Sequence, residues 1–269
     1  MRIGIVQTKP AFGQVVPNLS RAVELMDEAR ADLWILPEFF STGYQFVSRE
    51  EARFLAEPVP DGATSRGLIT YAASRNCHIV AGLAEAQGAR CYNAAILVGP
   101  SGLVARYRKV HLFSEEKRWF DPGDLPFPVA TVGTARIGVL VCFDHLFPEA
   151  ARTLALRGAE VIAHPANLVM AGYAQLTMRV RALENGVFTA TANRVGREAR
   201  SAQPLVFTGE SQIVSPRAEV LVRLSGDREE IGVVEIDPVQ ARDKALNPYN
   251  DRLADRRPEF YAGAADAAR

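Results

Sequence analysis

A thiol, a carboxylate and an ammonium group stand at three comparable places in this chain. Each closes or follows an apolar run that has the length of a β-strand. Cys142 ends the run Ile137-Gly138-Val139-Leu140-Val141 and precedes Phe143-Asp144 and a helix signal at Pro148-Glu149. A side chain at the mouth of a strand, just before a helix, is where open α/β folds place reactive groups. Backbone N–H groups at such a turn can hold an oxyanion and lower a thiol pKa. The competing reading of Cys142 is a small buried hydrophobe.

Glu38 follows Leu33-Trp34-Ile35-Leu36-Pro37 and precedes Phe39-Phe40, which puts a charge inside an apolar stretch. Buried charges need a partner or a purpose. A carboxylate whose pKa is raised by burial can serve as a general base. The alternative is a loop glutamate facing water. Lys109 closes Leu103–Arg108 and could polarise a carbonyl oxygen, or could belong to a solvated basic face. A thiol is usually partnered by histidine, and His111 and His145 are available for that pairing. His78 and His164 flank strands without metal-ligand spacing, so no metal site is expected. Glu115 and Glu116 precede Lys117 in what reads as a helical turn, where a surface ion pair is the plain alternative.

The elements that position these groups alternate between strand and helix patterns. Strand patterns cover 3–7, 33–36, 78–83, 93–98 and 104–109, with a hairpin turn at Ser101-Gly102. Later strands are expected at 135–142, 160–164, 187–192, 210–215, 219–224 and 231–237. Helix patterns cover 18–30, 65–75, 148–157 and 175–185. No linker divides the chain, so residues 1–269 read as one α/β unit of mixed sheets covered by helices, with a polar surface tail from about 238.

Composition narrows the function. The 269 residues are 48% hydrophobic and 23% charged, and Lys+Arg and Asp+Glu are both 31. That balance gives no electrostatic pull towards nucleic acid or a membrane surface. No apolar run reaches signal-peptide or membrane-spanning length, which reads as cytoplasmic. Cys77, Cys91 and Cys142 are odd in number and far apart, so no disulfide framework is expected.

Taken together, the segments LPEFFSTGY from Leu36, YRKVHLF from Tyr107, EEKRWFDPG from Glu115 and GVLVCFDHLFPEAAR from Gly138 resemble the nitrilase superfamily of carbon–nitrogen hydrolases. HPANLV from His164, RALENGVF from Arg181 and ESQIVSP from Glu210 extend the likeness to the tail. The resemblance implies an αββα four-layer sandwich of two mixed sheets with helices outside. It implies Cys142 as nucleophile, Glu38 as general base and Lys109 as electrostatic stabiliser. Glu116 matches a second glutamate that positions substrate and Lys109, and Tyr44, Phe143 and Asn167 fall at the substrate. No cofactor is implied, and the partner is a small amide or nitrile. A homodimer or higher oligomer is implied too, through the helices at 148–157 and 175–185 with Leu154, Leu156, Leu176 and Met178 on their exposed faces, and the tail near 247–257 reaching across.

Within that family, Phe143-Asp144 after the nucleophile resemble the amidase and carbamoylase branches, where nitrilases show Trp and Glu. Leu146 stands where omega-amidase-like members carry a carboxylate-binding Arg. The expected reaction is therefore hydrolysis of a small neutral aliphatic amide through a thioester, releasing ammonia. Nitrile hydrolysis is the alternative, then N-carbamoyl hydrolysis, and last a non-catalytic scaffold. An apolar pocket of Phe39, Phe40, Tyr44, Phe143, Leu168 and Met170 is expected, with Arg118 or Arg194 as cations that could enter it.

Overall fold

A computed structural model of the chain describes residues 1–261. The first half supplies β1 (Arg2–Gln7), β2 (Leu33–Ile35), β3 (His78–Gln87), β4 (Arg90–Gly99) and β5 (Gly102–Arg108). The second half supplies β6 (Val129–Val132), β7 (Ala135–Val139), β8 (Val161–Pro165) and β9 (Phe188–Ala192). A separate hairpin of β10 (Val195–Glu198) and β11 (Leu205–Thr208) follows. The chain then forms β12 (Gln212–Val214), β13 (Val220–Arg223) and β14 (Glu230–Glu235).

Two six-stranded sheets result, ordered β14-β1-β2-β3-β4-β5 and β13-β12-β9-β8-β7-β6. Each has a parallel centre, β1-β2-β3 in one and β7-β8-β9 in the other, and antiparallel edges. β14 returns from the second half to pair with β1 from Arg2↔Glu235 to Gln7↔Glu230.

Strand periodicity sorts the side chains into layers. Ile3, Ile5, Leu33 and Ile35 pack between the sheets against Ile137, Val139, Val161 and Phe188. The alternate residues Val6, Trp34 and Ile79 face outward onto Ala22, Leu25 and Met26 of α1 (Val15–Asp27). Ile162 does the same on the other sheet, onto Leu154 and Met178. β8 is buried throughout, as a central parallel strand covered on both faces should be. The layers are therefore helix, sheet, sheet, helix, as the resemblance implies.

Several boundaries differ from the sequence expectation. α1 begins three residues before Asn18, because Asn18 is a buried tether: its Nδ2 donates to the Ala11 and Ser41 carbonyls at 2.7 and 2.8 Å. The short α2 (Arg49–Leu55) was not expected; the Ser48 hydroxyl caps it by accepting from the Glu51 N–H. The helix α3 (Ala63–Arg75) matches, and a turn of helix, α4 (Glu116–Trp119), carries Glu116. α5 (Pro148–Leu156) and α6 (Tyr173–Asn185) cover the second sheet. The β10–β11 hairpin was also missed, since its charged residues break the apolar alternation. Part of the tail lies on the end of α6, where Lys244 Nζ donates to the Asn185 and Gly186 carbonyls.

Candidate active site

The reactive groups gather at the carboxyl ends of the parallel strands, on facing edges of the two sheets. β2 ends at Ile35, and Leu36-Pro37 lead directly to Glu38. The backbone there lies so close to β3 that a Cβ at Gly82 would overlap the Glu38 Cα and sit 3.1 Å from the Pro37 carbonyl. Lys109 follows β5 and keeps the ladder going, its N–H donating to the Asn93 carbonyl at 2.8 Å. β7 ends at Val139, three residues short of Cys142 rather than at it. Cys142 then opens a tight helical turn over Cys142–Leu146 with φ 42°, a left-handed conformation uncommon for a side-chain-bearing residue. Such strain at a reactive residue survives only where its surroundings hold it.

Those surroundings are visible. The buried Asp144 carboxylate accepts from the Val141 N–H at 2.9 Å, the Tyr107 hydroxyl at 2.8 Å and the His111 N–H at 3.2 Å. His111 Nδ1 lies 2.7 Å from the same carboxylate. Behind the turn, His164 Nε2 donates to the Cys142 carbonyl at 2.9 Å. The Phe143 N–H has no partner among the described residues. The sequence signal for Asp144 was a charge two residues after Cys142, in the turn that follows a buried strand.

Lys109 is fully buried between two carboxylates, with Nζ 2.8 Å from Glu38 Oε1 and 2.8 Å from Glu116 Oε1. Asn93 Nδ2 also donates to Glu38 Oε1, at 2.7 Å. The Tyr44 hydroxyl donates to Glu116 Oε1 at 2.7 Å, and the Phe113 N–H to Glu116 Oε2 at 3.2 Å. Glu38 Oε2 is left buried without a partner. Both plain readings fail here. Glu38 is not a solvent-facing loop residue, and Lys109 is not on a solvated face. Glu115 alone makes the surface pair, with Arg118.

Burial raises the Glu38 pKa, with the charge of Glu116 adding to it and Lys109 opposing. For Lys109 burial pulls downward, but Glu116 and Glu38 together outweigh it and the ammonium stays charged. Burial, then the charge of Glu38, push Cys142 well above its ordinary value. This corrects the expectation that the turn lowers it: burial and two carboxylates outweigh the charge of Lys109 and the backbone bond at Asn167. The thiol's one hydrogen-bond contact among the described residues is to the Asn167 carbonyl, 3.8 Å away. Among the described residues no histidine nitrogen hydrogen-bonds to the Cys142 thiol: His111 Nδ1 faces Asp144, His145 Nδ1 lies 2.6 Å from Thr177 Oγ1, and His164 Nε2 donates to the Cys142 carbonyl.

Cys142 opens onto a narrow cleft lined by Phe113, Phe143, His145, Asn167, Leu168 and Met170, among others. Neither Lys nor Arg lines it. Phe39 and Phe40 belong to the core behind instead. Tyr44 borders a second cleft with Glu116 and Trp119. Asn167 bridges the sheets, its Nδ2 donating to the Glu38 carbonyl at 2.8 Å. Leu146 points away and is 42% exposed. Arg118 is exposed, and Arg194 is buried against Glu198, so neither brings a charge to the cleft. A larger surface cleft lies at the opposite end of β2, beside Asp27, Asp32 and Arg75, and no cysteine lines it. Among the described residues no group of three His, Cys, Asp or Glu side chains could hold a metal ion, and no helix is long and apolar enough to cross a membrane.

Comparison with known proteins places this arrangement. The family model described as carbon-nitrogen hydrolase matches residues 2–245. A nitrilase of Pyrococcus abyssi is 49% identical over 264 residues, covering 97% of this chain and 99% of that one. An (R)-stereoselective amidase of a Pseudomonas species is 37% identical, covering 96% and 92%. Among solved structures, an amidase from Nesterenkonia with acrylamide added to its active-site cysteine superposes with a TM-score of 0.81 at 29% identity, covering 98% and 99% of the two chains.

Proposed function

The chain belongs to the carbon-nitrogen hydrolase family, and from that premise we propose that it hydrolyses small neutral aliphatic amides through a thioester on Cys142. The observation that carries this reading is the unpartnered Glu38 Oε2, a proton acceptor in a buried cluster whose other carboxylate oxygens are all engaged.

As sulfur attacks the amide carbon, Glu38 takes the thiol proton. The carbonyl oxygen becomes an oxyanion, held by the Lys109 ammonium and the free Phe143 N–H. The carbon–nitrogen bond then breaks, and Glu38 gives its proton to the departing nitrogen, which leaves as ammonia. Water attacks the thioester, Glu38 takes its proton, and the acid leaves as the Cys142 thiol re-forms. Glu116, fixed by Tyr44 and the Phe113 N–H, keeps Lys109 aimed. Asn167 and Phe143 border the acyl group.

Neutral substrates fit because a substrate carboxylate would enter a cleft without a cation, and burying an unpaired charge is costly. The Pyrococcus relative supports nitrile hydrolysis as a second reading, and the same three residues could run it. The intact cluster argues against a scaffold role. An ammonia-release screen over amides, carbamoyl compounds and nitriles tests the choice. The highest kcat/KM should fall on a neutral amide such as butyramide. A clear preference for succinamate, or for a nitrile, overturns it.

We also propose a homodimer or higher oligomer of cytoplasmic enzyme. Leu154 and Met178 turn out to be core, but Leu156, Leu176, Val180 and Leu183 are 42–62% exposed on α5 and α6. A helix should bury one stripe, so this second apolar stripe suits a partner subunit. A monomer by light scattering at micromolar concentration would remove the claim.

A further inference from the structure

We infer that His145 determines acyl specificity in the cleft beside Cys142, presenting a neutral ring nitrogen that accepts a hydrogen bond from an O–H or N–H donor on the acyl part of the substrate. The inference rests on the amide-hydrolysis reading and narrows its substrate class.

The tautomer follows from Thr177. His145 is 2% exposed and lines the cleft with Cys142. Its Nδ1 lies 2.6 Å from Thr177 Oγ1. We assign the single hydroxyl proton of Thr177 to the Tyr173 carbonyl, 2.9 Å away on the previous turn of α6, with the Ala174 carbonyl at 3.4 Å. Towards His145 the hydroxyl can therefore only accept, which places the ring proton on Nδ1 and leaves Nε2 as a bare lone pair. Nε2 has no partner among the described residues. Burial, then Arg181, push the ring pKa down to about 4, so Nε2 gains no proton near neutral pH. Arg181 is itself fixed, its Nε donating to the His145 carbonyl at 3.1 Å.

A second acceptor points the same way. Asn167 spends its Nδ2 on the Glu38 carbonyl, and its Oδ1 is buried without a donor. Phe143, Leu168 and Met170 also line this cleft. A buried acceptor left without a donor costs about 1–3 kcal/mol. A ligand that supplies one recovers that cost, and a purely aliphatic acyl group does not. The best substrates are thus neutral amides with a hydroxyl or N–H one or two carbons from the carbonyl.

The test compares isosteric amides by kcat/KM. Glycolamide is set against propionamide, 3-hydroxypropionamide against butyramide, and methoxyacetamide against butyramide. In the native enzyme at least one hydroxyl should bring a gain of about tenfold or more, while the ether, which only accepts, brings none. In His145→Phe the hydroxyl-to-methyl ratio should collapse towards one. Reading the ratio within each enzyme, and then its change between enzymes, cancels both a general loss of rate and the hydroxyl's own effect on amide reactivity. Thr177→Val, which frees Nδ1 and with it the tautomer, should lower the same ratio and serves if His145→Phe fails to fold. A ratio unchanged by these substitutions, or an ether gain equal to the hydroxyl gain, overturns the inference while leaving amide hydrolysis standing. Silence on every amide overturns the hydrolysis reading, and this inference falls with it.

Discussion

Arg108 and Lys109 are neighbours in the chain, both are buried, and each is held by two carboxylates. Arg108 donates to Glu85 through Nε and Nη2 at 2.9 and 2.6 Å, and to Asp124 through Nη1 at 2.7 Å. Its guanidinium also lies 3.9 Å from the Tyr92 ring centroid, and Arg106 adds a further bond to Glu85. Both oxygens of Glu85 are met by guanidinium groups. Lys109, one residue on, leaves Glu38 with an oxygen that nothing satisfies. Burial of charge is common to both clusters, so burial alone does not mark chemistry. The open carboxylate oxygen separates them, because it has room to accept a proton from a third group. The planar, forked Arg suits a closed structural knot, and the compact Lys ammonium suits a point charge beside a reacting oxygen.

The contrast can be broken most severely at the thiol. Cys142→Ala should abolish ammonia release while the fold survives, whereas Cys77→Ala and Cys91→Ala should keep most of it. Both of those thiols sit in apolar clusters away from the cleft. Persistent turnover in Cys142→Ala would remove the nucleophile. Next comes the cation: Lys109→Met should slow turnover by about 10²–10³-fold, the usual loss for an oxyanion donor. A severe loss at His111→Ala with a mild one at Lys109→Met would restore a Cys–His mechanism.

Acid gives a smaller, graded effect. Burial pushes His145 down to about 4 and His164 to about 3, against an ordinary value near 6.5. Below about pH 6.5 the unfolded chain binds protons that the folded chain refuses, so stability falls on acidification towards pH 4. The slope is up to about 1.4 kcal/mol per pH unit for each ring. Thermal melts between pH 7 and 5 should show it, and His164→Asn should make the acid limb shallower. An unchanged limb would mean that His164 does not carry it.

Much of this was legible because chemistry-bearing residues interrupt apolar runs. Glu38 and Cys142 stand out where strands end, and strands can be recognised from local alternation. The roles of Asn93 and Asp144 did not stand out, because they exist only across paired strands and a folded turn. Gly82 matters for the same reason, since only the β2–β3 pairing brings it onto Glu38. Leu154 and Met178 were placed on the wrong face. Helical spacing gives a stripe but not its direction, which depends on where the second sheet lies. Leu146, expected from the resemblance to stand at the substrate, is exposed to solvent instead.

The most direct test of the open-oxygen account sets Glu38→Gln beside Glu85→Gln, reading kcat/KM for butyramide and thermal midpoint on the same samples. Glu38→Gln should lose about 10²–10⁴-fold in rate and lose fewer degrees than Glu85→Gln, since only one Glu38 oxygen is bonded whereas both Glu85 oxygens are. Glu85→Gln should keep its rate to within a few-fold and lose several degrees, since breaking a buried ion cluster costs about 3–5 kcal/mol. The reverse pattern, a fast but unstable Glu38→Gln and a stable but slow Glu85→Gln, would contradict the account.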